Sequence, residues 1–104
     1  MANANAVIPA IGMGATGYSG TDRRPFTVSR ITSPRSVWLR ADNYKVVSGS
    51  AQDGSAVYEI TPDENSPEFE VTLRKNGGWY PKGVSMGYGG YSVGTRDAYM
   101  DPHF

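Results

Sequence analysis

Glycine and proline occur every few residues in this chain, and this spacing limits the secondary structure that it can form. The 104 residues include 13 glycines and 7 prolines. Glycine weakens the interior of a helix and proline breaks it, so little room is left for a long helix. Short strands joined by tight turns are therefore expected, in a chain long enough for one modest core and too short for two.

Alternation of apolar and polar residues predicts where several of these strands lie. It is clearest in 68–74, whose apolar residues are Phe69, Val71 and Leu73. In 37–42 the same alternation directs one set of side chains to the core and the other set outward. The inward set is Val37, Leu39 and Ala41, and the outward set is Trp38, Arg40 and Asp42. Further strands are predicted at 26–32, 44–47 and 57–61.

Turn signals separate these segments and suggest how they are connected. Pro34 marks a turn at 33–36, and Asn76-Gly77 predicts a hairpin because both residues tolerate positive φ. Five or six short strands of this kind are expected to form an all-β, SH3-like or partly open antiparallel barrel, since a small open sheet leaves its apolar face wet. A small two-sheet sandwich is the alternative.

The domain organisation follows from the same pattern. Residues 1–11 are expected to form a flexible N-terminal arm. Residues 12–104 are expected to form a single barrel domain, with the glycine-rich stretch 12–20 flexible and the C-terminal tail packed on the barrel.

Charge and composition exclude several classes of function. Ten basic and ten acidic residues balance to zero, which argues against nonspecific nucleic-acid binding. The absence of cysteine excludes disulfides, zinc–thiolate sites and thiol nucleophiles. No apolar run approaches the ~20 residues of a membrane span, and no signal peptide is evident, so we expect a cytoplasmic protein with no membrane contact.

The residues for acid–base catalysis are few. The chain has no cysteine and a single histidine, His103, which lies next to the C-terminal residue. Neither a Cys-His pair nor a three-His metal site can therefore be built. We therefore expect no enzymatic activity, no catalytic residue, no metal and no cofactor. A hydrolase using Asp97 or Asp101 is the competing hypothesis, although a turn in which Asp97 pairs with Arg96 is favoured.

Arginines and aromatic rings, in contrast, recur together along the chain. If the strands at 37–42 and 68–74 are neighbours, their outward side chains would form a surface suited to a planar base and a phosphate. A glycine-adjacent loop near Arg23 could cradle an anion or be a plain solvated turn, and Trp38 could instead cover a barrel end or an oligomer interface. The residues expected to bind ligand are Thr21, Arg23, Trp38, Arg40, Arg74, Lys75, Trp79, Arg96 and Tyr99.

Four ordered segments of the chain resemble a group of small bacteriophage-encoded proteins. They are 12–16 (GMGAT), 21–23 (TDR) with 26–28 (FTV), 72–77 (TLRKNG) with Trp79, and 94–97 (GTRD) with Tyr99, Asp101 and Phe104. The resemblance covers most of the chain beyond the arm and implies a phage accessory protein in the host cytoplasm. Phage accessory proteins of this size often act against host defences, and some are sponges that sequester nucleotide signals without cleaving them.

The residues and the resemblance together lead to one hypothesis and one alternative. The hypothesis is an anti-defence sponge, expected to be a homo-oligomer, that captures a small phosphorylated ligand such as a cyclic nucleotide. The alternative is a non-enzymatic protein-interaction or structural module that binds a host or virion protein.

Overall fold

A computed structural model describes residues 8–19, 22–50, 55–84, 90–96 and 98 of the chain. Eight strands and no helix are formed within these ranges. They are β1 (Gly14–Ser19), β2 (Asp22–Ser33), β3 (Ser36–Ala41), β4 (Asn43–Ser48), β5 (Val57–Thr61), β6 (Phe69–Leu73), β7 (Trp79–Pro81) and β8 (Tyr91–Val93). No helix of the described residues is long and apolar enough to cross a membrane.

Six of the strands form a closed barrel in the order β1-β2-β3-β6-β7-β8, with every neighbouring pair antiparallel. Strand β8 returns to β1 and pairs Val93 with Ala15, which closes the sheet. Closure removes the unpaired edges that an open sheet would expose. The predicted small all-β barrel is therefore confirmed, and the barrel is closed rather than partly open or split into two sheets.

The barrel core consists of inward side chains from all six strands. Its buried members are Ala15, Phe26, Val28, Val37, Leu39, Val71, Trp79 and Val93. At one part of the core the rings of Phe26, Phe69 and Tyr91 meet, with centroids 5.3–5.7 Å apart. Such tilted and edge-on contacts are the favoured geometry for aromatic pairs.

The predicted faces of β3 hold for most of the strand and fail at its end. Val37 and Leu39 are fully buried, as alternation predicts. Ala41, predicted to face the core, is exposed, and Asp42, predicted to face outward into solvent, is buried. Ala41 lies beyond the last pair of β3 with β6, Leu39 with Phe69, while Arg96 and Thr27 contact the Asp42 carboxylate.

The glycine-rich segment expected to be flexible instead contributes β1. Glycine is required there by close approach: a Cβ on Gly17 would lie 2.7 Å from the Phe26 ring and 2.8 Å from the Tyr91 ring. A Cβ on Gly14 would lie 2.7 Å from the Cβ of Arg96. These glycines therefore reflect tight packing between strands rather than mobility.

Both predicted turns are present. Pro34 lies in the turn between β2 and β3, whose flanking residues Ser33 and Ser36 are paired. Gly77 has a φ of 86°, as the Asn-Gly signal required. The backbone N–H of Arg74 donates to the Gly78 carbonyl at 2.9 Å, so this hairpin closes around three residues rather than two.

Strands β4 and β5 form a separate two-stranded sheet inserted between β3 and β6. We call this element the ribbon. Both of its strands were predicted, at 44–47 and 57–61, but as part of the same sheet as the others, and the strands absent from the predicted ranges are β1, β7 and β8. Its cross-strand pairs include Tyr44 with Ile60 and Val46 with Tyr58.

The predicted arm and tail lie next to β1 and β8. Ile8 and Ile11 of the predicted arm are exposed, and the Gly12 N–H, at the start of the predicted barrel domain, donates to the Val28 carbonyl at 2.8 Å and so extends the β1–β2 pairing. Ala98, within the predicted tail, is buried. Residues 1–7 of the predicted arm, and 97 and 99–104 of the predicted tail, lie outside the described residues, and with them Asp97 and Asp101 of the competing hydrolase hypothesis.

Candidate functional site

The prediction that Trp79 stands on an outward ligand-binding face is wrong. Trp79 is only 5% exposed and belongs to the barrel core. Its register partner across the β6–β7 pair is Leu73, an inward residue. Directly paired residues share one face of a sheet, so this register turns the indole inward.

Trp38 does face outward, and β3 and β6 are neighbours as the predicted surface required, with Trp38 opposite Glu70. The ring is half-buried, however, and the Arg30 guanidinium lies 5.0 Å from its centroid. Its indole N–H donates to the Thr32 hydroxyl at 3.1 Å. One face of the indole is therefore already covered by a cation from the same chain.

Arg74 acts as a clamp on the β6–β7 hairpin. Its Nη2 donates to the carbonyls of Pro81 and Val84 at 2.9 and 2.8 Å, and its Nε donates to the Thr72 hydroxyl at 2.8 Å. Lys75, beside it in the turn, is exposed. The guanidinium thus uses its donors to hold the chain together, although the sequence predicted that it binds phosphate.

Arg96 lies on another part of the outer wall and forms a buried polar cluster. Its Nε is 2.8 Å from a carboxylate oxygen of Asp42, whose side chain is fully buried. Its Nη2 donates to the Thr27 hydroxyl at 2.8 Å, and that hydroxyl donates to Asp42 at 2.6 Å. This cluster fixes the segment after β8 to the barrel wall.

The remaining predicted ligand residues do not complete one surface. Thr21 and Tyr99 lie outside the described residues. Arg23 is paired with Tyr18 at the start of β2. At the far end of β2, the Leu73 N–H, next to Arg74, donates to the backbone carbonyl of Arg35 at 2.9 Å. Arg23 and Arg74 therefore lie at opposite ends of the barrel.

A groove of about 460 Å³ on the outside of the barrel was not predicted from the sequence. We call it the Arg40 groove. Its lining residues are Ile11, Gly12, Thr27, Val28, Ser29, Arg40, Pro62, Asp63, Glu64 and Asn65. These come from four separate segments, and only Arg40 among them was identified by its residue type.

Two sets of hydrogen bonds build the walls of the Arg40 groove. On one side, Gly12 and Met13 pair with Val28 of β2 at 2.8 and 2.9 Å. On the other side, Nη1 of Arg40 donates to the Glu64 carbonyl at 2.8 Å and anchors the loop between β5 and β6. Arg40 therefore holds the loop that forms one wall.

Glu68 neutralises the positive charge beside the groove. Its carboxylate accepts from Ser29 at 2.6 Å and from Arg30 at 2.9 Å, and lies 3.5 Å from Arg40. The Ser29 hydrogen bond, followed by the charges of Arg30 and Arg40, lowers the pKa of Glu68 below its ordinary value. With Arg40 offset in this way, the carboxylates of Asp63 and Glu64 leave the groove lining negative.

One donor in the groove lining lacks a partner. The Nε of Arg40 is buried and has no hydrogen-bond partner among the described residues. A buried unsatisfied polar group costs ~1–3 kcal/mol. An acceptor on a bound molecule would remove that cost once the Arg40 side chain turns to bring Nε to the surface of the groove.

Comparison with known proteins does not add a homologue to this description: no family model, curated protein or solved structure matches the chain. Within the described residues, no three His, Cys, Asp or Glu side chains are grouped so that they could hold a metal ion. A function therefore has to be argued from the geometry of the groove and of the barrel surface.

The lowered pKa of Glu68 makes stability depend on pH. A carboxyl whose pKa is lower in the folded chain contributes stability that is present above its unfolded pKa of about 4.3 and lost as pH falls through the folded value. We therefore expect Glu68→Gln to lose stability less steeply than wild type as pH falls below about 5. Urea unfolding from pH 7 to pH 3 measures this, with Glu59→Gln on the exposed ribbon as the control. Parallel curves for wild type and Glu68→Gln would contradict the expectation.

Proposed function

We propose that this chain is a non-enzymatic protein-interaction module, and that the Arg40 groove holds a short extended segment of a partner protein. The observation that carries the proposal is the buried, unpaired Nε of Arg40 in the lining of a groove of about 460 Å³. That volume falls in the ~300–1,000 Å³ range of typical ligand sites.

The charge of the lining favours a peptide over a phosphate. A phosphate would bring negative charge toward Asp63 and Glu64, while Arg40 is already paired with Glu68. A peptide carbonyl could accept from Arg40 Nε without adding charge. Ile11 and Pro62 offer apolar contact, and a lysine or arginine of the partner would complement the two carboxylates.

Sequestration of a nucleotide signal stays a prediction, and the geometry supports it less well. Of the four arginines predicted to bind ligand, Arg74 and Arg96 donate to acceptors within the chain, and Trp79 lies in the core. The alternative derived from the sequence, an interaction module for a host or virion protein, requires none of these residues.

Selection from a random-peptide display library tests the proposal directly. Wild type is expected to enrich peptides that combine a lysine or arginine with an apolar residue. Arg40→Lys keeps the positive charge but removes both the Nε donor and the Nη1 hydrogen bond that anchors the wall loop, so we expect a loss of affinity of at least about tenfold for the selected peptides.

Matched variants separate the groove from general effects of charge. Asp63→Asn combined with Glu64→Gln should remove the preference for basic peptides, whereas Glu59→Gln on the ribbon should leave it unchanged. Failure to select any peptide that is sensitive to Arg40→Lys would refute the module. A nucleotide detected by mass spectrometry after denaturation would support the predicted sponge in its place.

A further inference from the structure

The turn between β6 and β7 contains the Asn76-Gly77 pair, which lies outside the lining of the Arg40 groove. Lys75, Asn76 and Gly77 are all exposed. Gly77 has a φ of 86°, and beyond its chain neighbours no described atom lies within 4 Å of the position that a Cβ would occupy. Solvent therefore reaches the Gly77 nitrogen, and no side chain hinders an approach to it.

Two hydrogen bonds hold the side-chain amide of Asn76 in this turn. The Gly78 N–H donates to Asn76 Oδ1 at 2.9 Å, and Asn76 Nδ2 donates to the Tyr80 hydroxyl at 3.2 Å. The first bond closes a ring of atoms that includes both Asn76 Cγ and the Gly77 nitrogen. The Gly77 N–H itself donates to the Arg74 carbonyl at 3.0 Å. That bond lies in the peptide plane, so it does not block attack through the face of the nitrogen.

We propose that Asn76 is a self-modification site, at which the folded chain converts this asparagine to aspartate or isoaspartate with water as the only co-reactant. The Gly77 nitrogen forms a bond to Asn76 Cγ and gives up its proton to water. The Cγ–Nδ2 bond then breaks, ammonia leaves, and a five-membered succinimide remains. Water adds to one of its two carbonyls: addition at Cγ gives aspartate, and addition at the backbone carbonyl gives isoaspartate.

The turn supplies a partner for each group that changes charge. Negative charge develops on Oδ1 during the attack, and the Gly78 N–H already donates to that oxygen. Preorganised donors aimed at developing charge lower the barrier of acyl transfer. Nδ2 must gain a proton before it leaves as ammonia, and the Tyr80 hydroxyl in contact with it is a proton donor that water replenishes. The Arg74 guanidinium, 5.7 Å from the centroid of the Tyr80 ring, holds that ring beside the turn.

The two products change the hairpin in different ways. Either product adds one negative charge beside Lys75 to a chain whose formal net charge is zero. Isoaspartate also places the β-carbon of residue 76 in the main chain. This lengthens the segment that the hydrogen bond from the Arg74 N–H to the Gly78 carbonyl closes, so isoaspartate is expected to loosen the hairpin.

Tryptic mapping of the folded wild-type chain after incubation at neutral pH tests the site. Trypsin places Asn76 in peptide 76–82 and Asn65 in peptide 46–74, so the two are scored separately. Conversion raises the mass of a peptide by one unit, and a sample digested without incubation gives the zero point. Asn65 is also exposed, but it precedes Ser66, whose side chain hinders the attack. We expect Asn76 to convert at least about tenfold faster, the equivalent of one hydrogen bond to the developing charge.

Two variants separate the geometry of the turn from the dipeptide alone. Tyr80→Phe keeps the ring and removes the hydroxyl, so conversion should slow several-fold. The deficit should grow toward mildly alkaline pH, where attack is fast and the departure of ammonia limits the rate. A purely structural effect of this substitution would be the same at each pH. Asn76→Gln keeps an amide but requires a six-membered ring, so its peptide 76–82 should show no gain.

Each result supports the proposal or contradicts it. Equal rates for Asn76 and Asn65 would overturn the site. A folded Tyr80→Phe chain that converts as fast as wild type, or faster, would overturn the part assigned to the turn, since the hydroxyl would then be idle or protective. Circular dichroism confirms that the variant is folded. Neither result bears on the Arg40 groove, whose lining shares no residue with this turn.

Discussion

Replacement of Trp79 by alanine is expected to lower the free energy of unfolding by about 3–5 kcal/mol, the largest effect of any single core substitution proposed for this barrel. The indole is 5% exposed and packs with the inward side chains of the other strands. Its removal leaves a cavity that a closed barrel of short strands cannot easily collapse, and a chain of this size has little stability in reserve. Urea unfolding followed by circular dichroism measures the loss.

Trp38→Ala is the matched control for this prediction. The same atoms are removed, but Trp38 faces outward, is half-buried and contacts Arg30 and Thr32. We expect a loss of about 1–2 kcal/mol, from partial burial and one cation–π contact. Equal losses for the two variants would show that the assignment of one indole to the core and the other to the surface is wrong.

Local pattern was sufficient to predict much of the barrel. Alternation of period two identified β3 and β6 and the inward direction of Val37, Leu39 and Val71, because residues two apart lie on one face of any strand. The turn preferences of individual residues placed Pro34 and Gly77 in turns, since these dihedral preferences act within a few positions.

Glycine, by contrast, was misleading where its role depended on distant residues. The segment containing Gly14 and Gly17 has the composition of a flexible linker, but it forms β1 because Arg96 and the rings of Phe26 and Tyr91 occupy the space of a side chain. Those neighbours come from the other end of the chain or from the next strand. The sequence alone does not distinguish a glycine that allows motion from one that allows close contact.

The candidate sites were harder to predict for the same reason. Residue type singled out Arg40 and Arg96 but did not show which groups they contact. Ser29 reaches Glu68 across 39 positions, and Thr27 reaches Arg96 across 69. Whether an arginine is available to a ligand depends on such distant partners, and they are set by barrel closure rather than by any local pattern.

Arg96 provides the sharpest test of that distinction, because removal of its charge leaves the Asp42 carboxylate buried with only the Thr27 hydroxyl as a close polar partner in the described structure. Breaking a buried ion pair from one side costs about 3–5 kcal/mol, since the remaining charge is uncompensated. We therefore expect Arg96→Met to lower the free energy of unfolding by that amount. Asp42→Asn should cost less, because an amide needs no counter-charge and Arg96 is partly exposed and can turn to water.

A double-mutant cycle and one control complete the measurement. Arg96→Met combined with Asp42→Asn is expected to cost about 1–3 kcal/mol less than the two single losses added together, because the pair acts as a unit. Arg30→Met removes an ion pair of similar length, 2.9 Å to Glu68, but from an exposed side chain, so its loss should stay near 1 kcal/mol or below. If Arg96→Met costs no more than Arg30→Met, the Asp42 pair does not stabilise the barrel, and Arg96 again becomes a candidate for binding an anionic ligand.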